Sequence, residues 1–130
     1  TAKLNEKLWQ EVSEYIRKKH SDPNGWVKCY TCCNVDHWKY MDCGHALSRT
    51  KGKAIFVDAD NLRPLCKICN QANDQDGERF QQYLKAEMGT EYLEELINKS
   101  RTTVKRSRSE LIEMIHEYRT KINSFQNNKP

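Results

Sequence analysis

The chain has 130 residues, of which 37% are hydrophobic and 31% are charged, and its formal net charge is +4. This length favours a single domain, and so thin a supply of core residues favours an additional cross-link such as a bound metal. No apolar run approaches the roughly 18 residues that a membrane span needs. The opening TAKLNEKLWQEV lacks the apolar block of a secretory signal. We therefore expect a soluble protein of the cytoplasm that has no membrane partner.

The first predicted element is an amphipathic helix over residues 4–20. Its apolar residues recur at helical spacing among charged ones: Leu4, Leu8, Val12, Tyr15 and Ile16. Pro23 and Gly25 then signal a turn. The following segment has no helical period, and it predicts two short strands, WVKCY and HWKYM, on either side of a cysteine turn.

The second half of the chain predicts helices. The run NQANDQDGERFQQYLKAEM predicts one helix with Phe80, Tyr83, Leu84 and Met88 on one face. Gly89 is a natural stop for this helix, and Thr90 is expected to cap the next one, EYLEELINKS.

A last helix is predicted from Ser107, which stands three residues before Glu110 at the spacing of a capping box. Its apolar residues alternate by four and three positions, which is the spacing of a helix-packing seam: Leu111, Ile115, Tyr118, Ile122 and Phe125. The seam favours either packing onto the rest of the same chain or a contact in a homodimer.

Four of the six cysteines form two C-x-x-C pairs, Cys29–Cys32 and Cys66–Cys69. Four thiolates from two such turns are the ligand set of a closed, tetrahedral zinc site. A disulfide is disfavoured without a secretory signal, and a redox centre would need only one pair. We therefore predict a structural Zn²⁺ at these cysteines. Cys33 follows Cys32 directly and competes with it, but Cys32 reproduces the spacing of the second pair.

Two stretches around the cysteines resemble the HNH, or ββα-metal, nuclease motif. DCGHALSR supplies its first histidine, His45, and DNLRPLCKICN supplies the middle asparagine, Asn61, and the terminal position, Asn70. Many members carry histidine at that terminal position. Asparagine there is seen in the endonuclease VII type of Holliday-junction resolvase, which also holds zinc with two C-x-x-C pairs. The resemblance implies an α+β fold, a small zinc-bound HNH core with flanking N- and C-terminal helices.

A wider resemblance runs over about residues 10–122. NGWVKCYTC, HWKYMDCGHALSR, NLRPLCKICN, YLKAEMGTEYLEELINKSR and the last helix are together similar to the NinG/Rap recombination nucleases of lambdoid and related phages. It implies a metal-dependent, structure-selective endonuclease that cleaves D-loops and Holliday junctions in the host cytoplasm. The corresponding units are an N-terminal helix over 1–25, a nuclease core over 26–88 and a helical extension with a basic loop over 89–130.

Phosphodiester hydrolysis needs an activated water and a cation on the scissile phosphate, and the matched residues suit both tasks. His45 is the expected base, because a neutral imidazole takes a proton near pH 7. A catalytic Mg²⁺ or Mn²⁺ requires oxygen ligands, and Asn70 offers one. Endonuclease VII has an aspartate directly before the histidine, where this chain has Gly44. We expect Asp42 to be the second ligand, with Asp74 as the rival.

Asn61 is expected to bond the backbone near His45 and so to fix the loop that follows the histidine. Two groups of basic residues are expected to contact DNA phosphates, since lysine and arginine neutralise the backbone regardless of sequence. The first group follows the histidine: Arg49, Lys51 and Lys53. The second lies in the loop before the last helix, where no acidic residue interrupts it: Lys99, Arg101, Lys105, Arg106 and Arg108.

Two other functional classes use the same features. A non-catalytic zinc-ribbon module would bind branched or duplex DNA with the same cysteines and basic loop, but it would not need the Gly-His step or the asparagine after the second pair. A zinc-dependent protein adaptor would use the last helix and would not need the basic loop. Both remain alternatives to the nuclease at this point.

Overall fold

The computed structural model describes residues 1–48 and 52–127, which form an α+β fold. In these two ranges, six α-helices and four short strands follow one another in this order: α1 (Ala2–Lys19), β1 (Trp26–Lys28), β2 (Val35–His37), β3 (Asp42–His45), α2 (Lys53–Phe56), β4 (Leu62–Leu65), α3 (Lys67–Gln75), α4 (Glu78–Met88), α5 (Thr90–Ser100) and α6 (Arg108–Asn127). Within the described ranges, every helix is too short or too polar to span a bilayer.

The first sheet is an antiparallel hairpin of β1 and β2, in which Trp26 pairs with His37. The strand predicted over HWKYM is wrong, because Trp38–Tyr40 forms a 3₁₀ turn instead. The Trp38 N–H donates to the carbonyl of Gly25 at 2.8 Å, so the chain leaves the hairpin there. The turn carries Met41 into the core, with 3% of its surface exposed.

The second sheet pairs β3 with β4 antiparallel and brings Asp42 opposite Leu65 and His45 opposite Leu62. It lies between two clusters of buried residues. The cluster around the hairpin and α4, called the hairpin core, contains Val27, Cys29, Met41, Ala46, Leu47, Ile55, Leu65, Phe80, Leu84 and Leu96. The cluster between α1 and α6, called the helix-pair core, contains Leu8, Val12, Ile16, Cys43, Val57, Leu62 and Leu111.

The terminal helices pack against each other, which confirms the prediction that the seam of α6 packs within the chain. Tyr15 of α1 meets Tyr118 edge to face, with ring centroids 5.3 Å apart, and stacks on Phe125 at 5.6 Å. Arg119 of α6 donates to the buried Glu11 at 2.9 Å through Nε. The homodimer contact stays a prediction.

The helix predicted after the second cysteine pair divides into α3 and α4. Asp76 is extended, with φ −149°, and its carboxylate accepts the Glu78 N–H at 3.0 Å, so it ends one helix and caps the next. Phe80 and Leu84 are buried as predicted. Gly89 ends α4 with φ +96°, a conformation that favours glycine.

Two capping predictions have opposite outcomes. Thr90 does not cap α5: it is the first helical residue, after Gly89, and its side chain makes no capping bond. The cap that Ser107 was expected to provide before α6 is confirmed. The hydroxyl of Ser107 accepts the Glu110 N–H at 3.1 Å and donates to the Glu110 carboxylate at 3.2 Å.

Candidate functional site

The four predicted zinc ligands come together at one point. The sulfur atoms of Cys29, Cys32, Cys66 and Cys69 all lie within 4.8 Å of one another. The first pair comes from the turn between β1 and β2, and the second from the start of α3, where Cys66 is the N-cap. Cys33 is exposed, in the left-handed conformation with φ +67°, and lies outside this cluster. The geometry therefore favours Cys32 over Cys33.

The donor set fits zinc, because four cysteine thiolates are the usual ligands of a closed, tetrahedral structural zinc site. Burial raises the pKa of Cys29, but hydrogen bonds from backbone N–H groups of Cys66, Cys32 and Thr31 outweigh it and lower that pKa to about 6. These N–H groups therefore favour the thiolate form of Cys29. A bound cation is what allows neighbouring sulfurs to ionise as well.

Beside this cluster, a cleft of about 880 Å³ brings three predicted site residues together: Asp42, His45 and Asn70. Asp42 and His45 are the two ends of β3, and Asn70 lies in the first turns of α3. The Asn70 Nδ2 donates to Asp42 Oδ2 at 3.1 Å, and Lys67 Nζ pairs with Asp42 Oδ1 at 3.0 Å. The rival ligand Asp74 is exposed and lines the same cleft.

Gly44, between Asp42 and His45, occupies a place that admits no side chain. A Cβ there would clash with Leu65 and would lie 3.3 Å from Asn70 Oδ1. An aspartate directly before the histidine would therefore require the buried Leu65 side chain to move. Residues two apart in a strand share a face, so Asp42 reaches the Asn70 side of the sheet from two positions earlier.

The ring of His45 is held on three sides. It stacks on Trp9 with centroids 4.8 Å apart and on Phe56 at 5.6 Å. Its Nε2 lies 3.0 Å from the carbonyl oxygen of Phe56. Because a carbonyl only accepts, Nε2 is the protonated nitrogen, and the lone pair of the neutral ring is on Nδ1.

Asn61 makes the contacts expected of it. The side chain is fully buried, and its Oδ1 accepts the Leu47 N–H at 2.8 Å. Its Nδ2 donates to the carbonyls of Leu47 at 3.0 Å and Ile55 at 3.2 Å. One amide thus joins both ends of the segment after His45. A part of Asn61 in catalysis stays a prediction.

The predicted DNA-contacting residues are only partly described. Arg49 and Lys51 lie outside the described residues, and Lys53 begins α2. In the second group, Lys99 forms an ion pair with Asp58, and three others are exposed: Arg101, Lys105 and Arg108. Gly52 lies against the Ser100 carbonyl, where a Cβ would approach to 2.5 Å. The backbone just before α2 therefore lies beside the segment that carries Lys99 and Arg101.

Residues 2–128 match the model of a protein family described as "Bacteriophage Lambda NinG protein". The chain belongs to the NinG family. No curated protein and no solved structure matches it significantly. Membership confirms the phage family expected from the sequence, and the match covers both terminal helices as well as the cysteine region.

Helix α1 contributes more to the cleft of this NinG-family chain than the sequence indicated. Trp9, Ser13 and Arg17 line it, although α1 was expected only as a flanking helix. Two further residues hold the backbone at the histidine: Asn73 Nδ2 donates to the His45 carbonyl at 2.9 Å, and Gln81 Nε2 to the Ala46 carbonyl at 3.0 Å. Two features of the sequence could have indicated these contacts. Trp9 is a large aromatic residue outside the apolar face of α1, and Asn73 follows Asn70 by about one helical turn.

Proposed function

We propose that the chain is a metal-dependent, structure-selective DNA endonuclease that hydrolyses phosphodiesters in branched recombination intermediates such as D-loops and Holliday junctions. One observation carries the proposal. The candidate base His45 and the oxygen donors Asp42 and Asn70 line one cleft, although Asn70 is far from the other two in sequence. A zinc-ribbon that only binds DNA needs no such grouping.

His45 is the base in this proposal. Its Nε2 proton is engaged by the Phe56 carbonyl, so Nδ1 takes the proton of the attacking water. The stacked rings of Trp9 and Phe56 restrict rotation of the imidazole. Asn61 fixes the segment that follows. The ring is thus oriented before substrate binds, which is what efficient proton transfer requires.

Asp42 and Asn70 are the residues that would hold Mg²⁺ or Mn²⁺. The donors fit a hard cation, because such ions take one or two carboxylates, an amide oxygen, and oxygens from water and the substrate phosphate. When bound, the ion supplies Lewis-acid polarisation of the scissile phosphate. The 3.1 Å bond between Asn70 and Asp42 supports Asp42 as the carboxylate. Hydrolysis then leaves a 5′-phosphate and a 3′-hydroxyl.

Substrate contact is assigned to the basic residues. The exposed side chains of Arg101, Lys105 and Arg108 suit the phosphate backbone, which carries no base information. We assign the same role to Arg49, Lys51 and Lys53, which stand on either side of Gly52 in the sequence. Phosphate contacts of this kind distinguish DNA molecules by the relative orientation of their duplex arms and not by base sequence. A homodimer would place two such sites on paired strands of a junction in the host cytoplasm.

Cleavage of a labelled four-way junction, a D-loop and a linear duplex of the same sequence tests the proposal. Each is incubated with Mg²⁺, with Mn²⁺ and with neither, and binding is followed in parallel. The wild type should cut the branched substrates only with a divalent ion. His45→Ala should bind them and leave them intact.

His116→Ala is the matched control, because His116 is an exposed histidine on α6, outside the cleft. It should cut like the wild type. If both the wild type and His45→Ala bind and neither cuts with any ion, the nuclease proposal is wrong and the chain is a DNA-binding module.

A further inference from the structure

Arg17 of α1 is a charged residue of the cleft that has no role in the hydrolysis proposed above. It lines the same cleft as His45, Asp42 and Asn70, but it belongs to the terminal helix and not to the cysteine region. Its side chain is half-buried. A half-buried cation at the wall of a substrate cleft needs a physical reason, because burial disfavours charge.

The guanidinium is held in one orientation. Its Nε donates to the Ser13 carbonyl at 3.1 Å, and its Nη1 donates to the Trp38 carbonyl at 3.1 Å. Its central carbon lies 5.4 Å from the centre of the Trp38 ring. These contacts use two of the five N–H groups of the arginine, so three remain for a ligand.

No negative charge in the described part of the chain is paired with Arg17. The nearest carboxylates are engaged elsewhere, since Asp42 pairs with Lys67 and Glu14 pairs with Lys18 and Arg119. Burial lowers the pKa of Arg17. Neutral carbonyls orient this cation without neutralising it.

We propose that Arg17 binds the two non-bridging oxygens of a backbone phosphate beside the scissile one, so that α1 forms one wall of the nuclease site. The inference rests on the proposed nuclease function and adds that α1 contacts a phosphate next to the scissile one. The planar guanidinium suits the purpose, because adjacent N–H groups match two phosphate oxygens and a fixed fork loses little entropy on binding. Lys39 lines the cleft on the same side.

The test replaces single phosphates of a four-way junction by neutral methylphosphonates, one position at a time around the cleavage site. Binding is measured without added divalent ion, and cleavage with Mg²⁺, for the wild type and Arg17→Gln. At one position, the neutral group should weaken wild-type binding about tenfold, the size of one hydrogen bond to a charged group. Arg17→Gln should respond there by less than about twofold, since its partner is already missing.

Two further variants separate this contact from a general loss of charge or fold. Lys19→Gln removes the same charge from the same last turn of α1, outside the cleft, and should keep the wild-type profile. Arg17→Lys keeps the charge without the fork and should recover part of the response at that one phosphate. Thermal melting of each variant confirms that the fold is intact.

The outcomes distinguish the two proposals. Equal losses in wild type and Arg17→Gln at every position, with cleavage intact in the wild type, would overturn the role of Arg17 and leave the nuclease. A wild type that binds without cutting would refute the nuclease, and the binding profile would still decide whether Arg17 holds a phosphate. A wild type that neither binds nor cuts refutes both.

Discussion

The hairpin core and the helix-pair core are held together in different ways. The hairpin core is built around β1 and β2, which have three residues each and bury little apolar surface by themselves. The sulfur atoms of four cysteines beside it lie within 4.8 Å of one another. The helix-pair core lies between helices of 18 and 20 residues. Its contacts are aliphatic and aromatic, with a buried carboxylate, Glu11, paired across the helices with Arg119. A metal should therefore dominate the stability of one region and packing that of the other.

The cleft lies where these two regions meet. The sheet of β3 and β4 contributes Leu65 to the hairpin core and Leu62 to the helix-pair core. His45 belongs to this sheet and stacks on Trp9 of α1. The position of His45 therefore depends on both regions. A change confined to one region shows how far the cleft keeps its geometry when that region is destabilised.

The largest effect should come from removing the metal. Cys66→Ser takes away one thiolate of four, and structural zinc contributes on the order of 10 kcal/mol in small domains, comparable with the whole stability of a domain. We expect the hairpin core to unfold while helical circular dichroism from α1 and α6 partly persists. Zinc content by mass spectrometry, near-ultraviolet dichroism and thermal melting measure the change.

Cys33→Ser is the matched control, because it removes the neighbouring exposed thiol from the same turn. It should keep one zinc per chain and the wild-type melting temperature. If Cys33→Ser loses zinc and Cys32→Ser keeps it, the ligand assignment is wrong. If neither change affects the fold, the hairpin core stands without a metal and the contrast between the regions fails.

The next effect should come from packing in the helix-pair core. Leu111→Ala deletes a fully buried side chain between α1 and α6, and such changes cost about 2–5 kcal/mol of unfolding free energy. Ile112→Ala, next to it on α6 and 48% exposed, should cost much less. Denaturant unfolding measures both. Retained zinc at temperatures where α6 has melted would show that the regions unfold separately.

Asn61→Ala should have a smaller effect on stability and a disproportionate effect on the site. It leaves the Leu47 N–H without an acceptor, at about 1–3 kcal/mol for an unsatisfied buried group. The carbonyls of Leu47 and Ile55 each lose one donor, but the Ile55 carbonyl keeps the Asp58 N–H. The segment after His45 then loses the side-chain hydrogen bonds that hold Leu47 close to Ile55. If the nuclease proposal is right, cleavage should fall further than binding. Equal loss of both would mean that the amide serves the fold alone.

Much of the fold follows from short-range sequence signals. The apolar spacing of α1, the capping box at Ser107 and the stop at Gly89 are local, so each could be predicted without knowing any neighbour. HWKYM failed because a backbone bond from Trp38 to Gly25, across the hairpin, decided its conformation. The cysteine cluster was predictable because zinc coordination fixes the spacing of its ligands along the chain.

The grouping at the cleft was predictable only in part. Asp42 and Asn70 follow from strand alternation and from the position after the second cysteine pair. Trp9 gives a partial signal, because it is a large aromatic residue outside the apolar face of α1. Arg17 gives none, because a charged residue in the last turn of a helix is usually exposed to solvent. Their place in the cleft depends on the packing of α1 on α6 and on the sheet, which is a tertiary contact.

The smallest effect should come from the cap of α6. Ser107→Ala removes the hydroxyl that accepts the Glu110 N–H and donates to its carboxylate, and loss of such a cap costs about 1 kcal/mol. Because α6 packs on α1, this cost falls on the helix-pair core. Hydrogen exchange should therefore quicken at the first turns of α6 and leave the cysteine turns unchanged. Thr103→Ala, an exposed change in the same linker, is the control. Exchange that quickens equally at the cysteine turns would mean that the chain unfolds as one cooperative unit, and the metal would then stabilise α6 as much as it does the hairpin.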